Sequence, residues 1–357
     1  MKFKENAQLD LVCPTSMGVR ITPQDRQVVY TSNLFRMQAT SAESNVLNIS
    51  SSLGLKTAVL TKFVKDSQIA LFIKNELGKR HIEYIGKDVE QGGPWGYRHQ
   101  FNIADSGYGL RAPVVTNDRA GEVGRTLSVN DFDLDEVFVK RGVKLVHISG
   151  LIAALSENTS KFCVELARKA KENGSKISFD LNYRASFWKN REEELSKAFK
   201  EIASLSDILI GNEEDFQLAL GLKGPEAGGK DIASKIESFK QMILEAKKAY
   251  PNAEVFTTTL REVKSANAHN WGAITYMDNE FYVIEPKPID VLDRIGGGDG
   301  FVGGLLYSLL KGYDREKSTN IGWASGAMAA TCLDDYATPS SESQLISIFE
   351  GNARVKR

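Results

Sequence analysis

Residues 293–301 read DRIGGGDGF: an aspartate, three glycines at 296–298, a second aspartate at 299, and the start of an apolar run that stops at Lys311. The spacing of Phe301, Leu305, Leu306 and Leu309 predicts a helix that begins near Asp299 and ends at Gly312. A helix N-terminus carries free N–H groups and a partial positive charge, so it attracts anions. Glycines at 296, 297 and 298 remove every Cβ that would hold an anion away from those groups. A carboxylate at the mouth of such a site would repel a bound phosphate. It makes chemical sense if Asp299 takes the proton of a hydroxyl that attacks that phosphate. A tight turn with Asp299 as an ordinary helix cap fits the same letters, and the motif alone leaves both open.

Elements able to hold such a site alternate along the chain. The segments 55–63, 144–150, 176–182, 206–212 and 254–260 are short, β-branched and apolar at consecutive positions, as strands buried on both faces require. Between them, 66–78, 159–174 and 192–205 carry apolar residues at helical spacing, with Asp66 expected to cap the first. This alternation predicts an α/β fold, a parallel sheet with helices on both sides. Residues 12–40 and 92–126 lack long amphipathic helices and are expected to form a small β-rich flap on that core. A surface loop is expected over 221–231, and no repeat or long linker divides the 357 residues.

Composition excludes several classes. Lys and Arg number 45 against 46 Asp and Glu, a net charge of -1, so no bulk attraction for nucleic acid or an anionic membrane is expected. Cys13, Cys163 and Cys332 form no CxxC pair, which fits a reducing cytoplasm better than a disulfide framework or a cysteine zinc site. The opening MKFKENAQLDLVC has no apolar run of the kind a secretory signal carries, and FVGGLLYSLL is too short to span a bilayer. His81, His99, His147 and His269 show no metal-ligand spacing, and His99 is expected as a solvated loop residue. No G-x-G-x-x-G follows the first strand, which argues against a dinucleotide dehydrogenase.

DRIGGGDGF also resembles the second signature of the PfkB, or ribokinase-like, carbohydrate kinases, in the form carried by their 2-keto-3-deoxygluconate kinases. AESNVLNISSSLG (42–54), FDLNYRASFW (179–188), LIGNEEDFQLALG (209–221), TLREVKSANAHNWGAITY (259–276) and the final NARVKR are similar to further family segments, in the family's order. The resemblance implies a ribokinase-like three-layer core with a small β-sheet lid, acting as one kinase unit that transfers the γ-phosphate of ATP, with Mg2+, to a sugar hydroxyl. On these positions Asp299 would be the general base, and Gly296, Gly297 and Gly298 the anion hole for the transferring phosphoryl group. Asn212 and Asp215 would orient the magnesium hydration shell through water, although Asn212 could equally cap the helix that follows. Thr259 and Arg261 would lie on the nucleotide side. Ser41, Asn45, Asn102, Asn117, Arg119 and Arg184 would line the acceptor pocket, with Arg184 and Arg119 reading a sugar-acid carboxylate.

The acceptor side departs from the family. Thr40 and Ser41 stand where paired glycines are usual, Asn102 and Asn117 where tyrosines are, and Thr15–Ser16 where Gly–Glu is. The expected function is phosphorylation of 2-keto-3-deoxygluconate to its 6-phosphate. The alternatives are another hexose or ketose such as fructose, or a fold relative that binds sugar or nucleotide without turnover. A homodimer through the lids is expected from the apolar face such a sheet would expose.

Overall fold

The computed structural model describes residues 1–226 and 231–354. The middle of the loop expected over 221–231 and the last three residues of NARVKR lie outside the described residues. Nine strands form one sheet in the order Glu280–Asp290, Ala268–Met277, Val255–Ser265, Ile208–Ile210, Lys176–Asp180, Val143–Ser149, Leu9–Pro14, Thr57–Leu60 and Ile82–Ile85. From Val255–Ser265 to Ile82–Ile85 all neighbours are parallel, and the two pairs beyond Val255–Ser265 are antiparallel.

The inner strands are apolar along most of their length because both faces are covered, with residues such as Lys144, His147 and Ser178 as exceptions. Val12, Val146, Ile177 and Phe179 pack with Phe162, Leu166, Leu195 and Phe199 of the helices Glu157–Glu172 and Glu192–Leu205. Leu11, Cys13, Val59 and Leu145 face the other way, against Val46 and Ile49 of the helix Ala42–Ser52 and Phe301 and Leu305 of the helix Gly297–Leu310. That last helix is apolar around its whole circumference, as a helix sandwiched between others must be. It lies against Ala42–Ser52 so closely that a Cβ on Gly303 would stand 2.6 Å from the carbonyl oxygen of Val46. This contact fixes Asp299 relative to Asn45.

A second, four-stranded sheet has the order Phe35–Thr40, Gly18–Pro23, Gln100–Ala104 and Val115–Asp118. It is built from the two segments expected as a flap, but the first starts later than residue 12. Val12 belongs to the central strand Leu9–Pro14, whose apolar run continues the main sheet. One rung of the smaller sheet carries Gln38, Arg20, Asn102 and Asn117 side by side on a single face. On the other face Phe35 and Met37 are exposed, with Ile21 and Ile103 half-buried beside them. A loop of this sheet is tied to the main sheet where Gly109 N donates to Asn267 Oδ1 at 2.7 Å.

Helix ends show where local letters misled. Asp66 adopts a left-handed backbone (φ 57°), and Ser67 is the cap of Gln68–Lys79, its hydroxyl accepting from Ala70 N. The helix after the glycines starts at Gly297 rather than Asp299, placing Asp299 inside the first turn. Among the described residues, no helix is long and apolar enough to cross a membrane.

Candidate active site

Gly296 takes φ 85° and opens the helix Gly297–Leu310. Its conformation and packing both demand glycine, since a Cβ there would sit 1.8 Å from the carbonyl oxygen of Asp335. Gly298, in contrast, faces open space and is exposed. Its exposed backbone is therefore available to an anion at the helix N-terminus.

Asp299 is half-buried beside this turn and accepts a 2.8 Å hydrogen bond from Asn45 Nδ2. Loss of solvation raises its pKa to about 7; the Asn45 bond and Arg184 oppose the rise, while Asp335 and Glu43 add to it. A carboxyl poised there can take a proton near neutral pH and release it again. Asp180, at the end of its strand, is pushed to about 8 by burial and then by Asp215 and Asp299. Glu43 is buried beneath them and accepts from Thr15 Oγ1 at 2.6 Å and from Ser149.

Three arginines lie within electrostatic reach of one another, and Arg184 also of these acids. Arg184 begins the short helix Ala185–Trp188 just past the strand Lys176–Asp180, and its Nη1 donates only to its neighbour's carbonyl, Tyr183 O, at 2.7 Å. Arg261 follows Thr259 by two residues on the strand Val255–Ser265, so both project from one face. Arg294 comes from the motif itself. Arg261 opens to the cleft, yet the surrounding protein, and then Arg294 and Arg184, lower its pKa to about 10. Arg294 is lowered as well, chiefly by burial. Among the described residues none of the three forms an ion pair, whereas Arg20, Arg98, Arg119 and Arg141 all do. Carboxylates lie near them, Glu213 beside Arg261, Asp293 beside Arg294 and Asp180, Asp215 and Asp299 near Arg184, but guanidinium groups left out of ion pairs remain open to an anionic ligand.

Asn212 and Asp215 form a reciprocal cap on the helix Glu213–Leu220. Asn212 Oδ1 accepts from Asp215 N, and Asp215 Oδ2 from Asn212 N, each at 2.8 Å. Tyr183 N donates to Asp215 Oδ1, also at 2.8 Å. The capping role weighed for Asn212 is therefore present. Among the described residues no group of three or more His, Cys, Asp and Glu is placed to hold a metal ion by itself. These side chains fit a divalent cation that arrives on phosphate oxygens with its own water shell, for which Asp215 keeps lone pairs beyond its two N–H bonds.

On the acceptor side the candidates separate. Ser41 caps the helix Ala42–Ser52, accepting from Ser44 N at 3.0 Å, so its hydroxyl is engaged locally. Asn102 is half-buried with a partnerless Oδ1, and Asn117 beside it is exposed. Arg119 pairs through Nη1 with Glu122 Oε1 at 2.6 Å, lies 5.4 Å from the Phe187 ring centre, and keeps a buried Nε without a partner. Ser16 Oγ donates to the same Glu122 oxygen at 2.5 Å. Here one donor, Arg119 Nε, and two acceptors, Asn102 Oδ1 and Glu122 Oε2, are left unfilled, a pattern that a ligand carrying both hydroxyl and anionic groups complements.

His99 is a correction. It is buried at the base of the smaller sheet, with Nδ1 3.0 Å from Met17 O and Nε2 accepting from Val64 N at 3.3 Å. Arg20, Asp335, Glu122 and Arg294 were not singled out by sequence. The partners of Arg20 and Asp335 lie far away in the chain, Glu122 pairs with Arg119 only three residues before it in an irregular loop, and Arg294 is visible only as the residue after Asp293.

A carboxyl at a glycine-opened helix N-terminus, near three arginines that form no ion pair among the described residues, fits a phosphotransferase with an alcohol group as acceptor. The sequence model of the pfkB family carbohydrate kinases matches residues 136–342, more than half of the chain, and the chain belongs to that family. It is 24% identical over 353 residues to the 5-dehydro-2-deoxygluconokinase of Clostridium perfringens, covering 97% of this chain and 95% of the relative. It is 26% identical over 340 residues to the 2-dehydro-3-deoxygalactonokinase of Haloferax volcanii, covering 95% and 96%. The crystal structure of 2-dehydro-3-deoxygluconokinase from Thermotoga maritima superimposes with a TM-score of 0.86 at 25% identity, covering 96% of this chain and 98% of that one.

The turn supplies a test. Gly296→Ala should cost at least about 2 kcal/mol of unfolding free energy in urea titrations, because the left-handed backbone and the Asp335 carbonyl both oppose a side chain. A loss within about 0.5 kcal/mol would show that the turn relaxes freely.

Proposed function

We infer that this carbohydrate kinase uses ATP with Mg2+ to phosphorylate a sugar acid, with 2-keto-3-deoxygluconate, converted to its 6-phosphate, as the preferred acceptor. The observation that carries the reading is Asp299, its proton affinity raised by burial, beside Gly296–Gly298 and opposite Arg184, Arg261 and Arg294. In this reading Asp299 accepts the proton of the attacking hydroxyl as the O–P bond forms and the bond to ADP breaks. Backbone N–H groups after Gly296 hold the transferring phosphoryl oxygens, and the arginines, with Thr259, hold the rest of the polyphosphate. Magnesium, when bound with the nucleotide, would neutralise phosphate charge, and Asn212 and Asp215 would orient its waters.

Arg119 Nε and Asn102 Oδ1, both partnerless, support the sugar-acid reading, with Asn117, Asn45 and Ser41 completing the pocket wall. The names of the relatives, all deoxy sugar acids, point the same way. Fructose is the neutral alternative. The smaller sheet would close over the acceptor as a lid within a single kinase unit and keep water from the γ-phosphate. Its apolar outer face, with Phe35 and Met37 exposed, is the surface we assign to a homodimer. We place the enzyme in the cytoplasm, where its three unpaired thiols are stable.

Asp299→Asn should retain binding of ATP and acceptor while turnover falls by about two to four orders of magnitude. Retention of more than about a tenth of the rate would return Asp299 to the role of a cap. Arg119→Met should raise KM for 2-keto-3-deoxygluconate by the equivalent of about 2 kcal/mol or more, with KM for ATP little changed. A panel of 2-keto-3-deoxygluconate, 5-dehydro-2-deoxygluconate, 2-dehydro-3-deoxygalactonate and fructose assigns the acceptor, and preference for fructose would overturn the sugar-acid reading. Light scattering should find a dimer that Met37→Glu converts to monomer; a monomeric wild type would remove the dimer.

A further inference from the structure

Arg20 lies in the strand Gly18–Pro23 of the smaller sheet and is wholly buried. Its guanidinium pairs with Asp293 Oδ2 at 2.6 Å and with Asp335 Oδ1. Asp293 begins the glycine motif and accepts from Ile295 N at 3.0 Å through its other oxygen. Asp335 leads elsewhere. Its Oδ2 accepts from Thr40 Oγ1 at 2.9 Å. Thr40 Oγ1 lies 3.3 Å from Asn45 Nδ2 and 3.4 Å from Asn45 Oδ1. Asn45 Nδ2 reaches Asp299 at 2.8 Å.

The direction of this chain follows from counting protons. A hydroxyl has one, and the closer, charged acceptor is Asp335. Thr40 is then left with lone pairs for Asn45, which only the NH2 end of the amide can satisfy. The same NH2 group holds the second proton toward Asp299. A reversed amide would put Oδ1 against the carboxylate and repel it. An ionised Asp299 imposes this choice itself, and the hydroxyl of Thr40, held by Asp335 and, through it, Arg20, keeps it when Asp299 is protonated.

We propose that Arg20 and Thr40 are positioning residues for phosphoryl transfer, orienting the Asn45 amide that holds Asp299 and tying the smaller sheet to the reaction centre. The proposal rests on Asp299 acting as the base. The charged groups that face Asp299 are Asp335, Glu43, Asp180 and Arg184, and of these Thr40 bonds only Asp335.

The test compares Thr40→Val, which keeps the shape but removes the hydroxyl, with Thr40→Ser, which restores it, and with Asp299→Asn. Thr40→Val should lower kcat about tenfold or more with KM for ATP within about twofold. Because the Asn45 bond opposes protonation of Asp299, its loss should move the acidic limb of kcat/KM to higher pH, by about half a unit or more. Thr40→Ser should recover both. Wild-type kcat and an unmoved limb in Thr40→Val, or no recovery in Thr40→Ser, would overturn the proposal while an inactive Asp299→Asn left the base reading intact. An active Asp299→Asn would instead remove that reading and the proposal with it. If Thr40→Val does not fold, Arg20→Lys carries the same readouts, since an ammonium cannot span both acids. A folded Arg20→Lys with wild-type kcat and pH profile would overturn the proposal.

Discussion

A buried guanidinium between two buried carboxylates ties the smaller sheet of this enzyme to the glycine turn. Arg20 comes from the smaller sheet, Asp293 from the start of the glycine motif, and Asp335 from the segment after the helix Arg315–Ala330. Removing one member of such a set leaves an uncompensated charge in the interior, which typically costs about 3–5 kcal/mol. The three must therefore fold together. Ser106 Oγ adds a 2.6 Å bond to Asp293 from the smaller sheet, and Gln38 Nε2 donates to Asp335 at 3.2 Å. The orientation of the smaller sheet and the shape of the glycine turn are thus one arrangement.

Around this clamp, charges are sorted across the cleft. Carboxyl groups of Asp180, Asp215 and Asp299 lie toward the ends of the parallel strands, where open α/β sheets bind their ligands. Arginines 184, 261 and 294 lie within electrostatic reach of one another, and among the described residues none of them forms an ion pair. Burial weakens the charge on both sets, raising the acids and lowering the guanidinium pKa of Arg261 and Arg294. A phosphate-bearing ligand would neutralise the arginines, and its own charge would raise the proton affinity of the acids further.

The main sheet was legible because strands covered on both faces have little choice of residue. Val146, Ile148, Ile177 and Phe179 can be read as core from their run alone. The helix 192–205 was read to the residue, its stripe of Leu195, Phe199 and Ile202 being undisturbed. Helix starts were less legible: Asp66 and Ser67 are both good caps, and only the backbone decides between them. The glycine turn beside Asp299 was legible because one contiguous motif builds it. The clamp was not. Arg20 sits in GVRITP, where alternation makes an arginine look solvent-facing, and its partners are hundreds of residues away. Its burial follows from how the strand is laid over Asp293 and Asp335, which no local spacing encodes. His99 misled for the same reason, because the Met17 carbonyl and Val64 amide that enclose it come from other segments.

Burial raises the Asp299 carboxyl to about 7, as the proposed proton acceptor requires. The most direct measurement is a titration of that carboxyl by 13C NMR of labelled aspartate, assigned by difference from Asp299→Asn. The account predicts a midpoint of about 7 in the free enzyme. A midpoint near 4, that of a solvated aspartate, would contradict it.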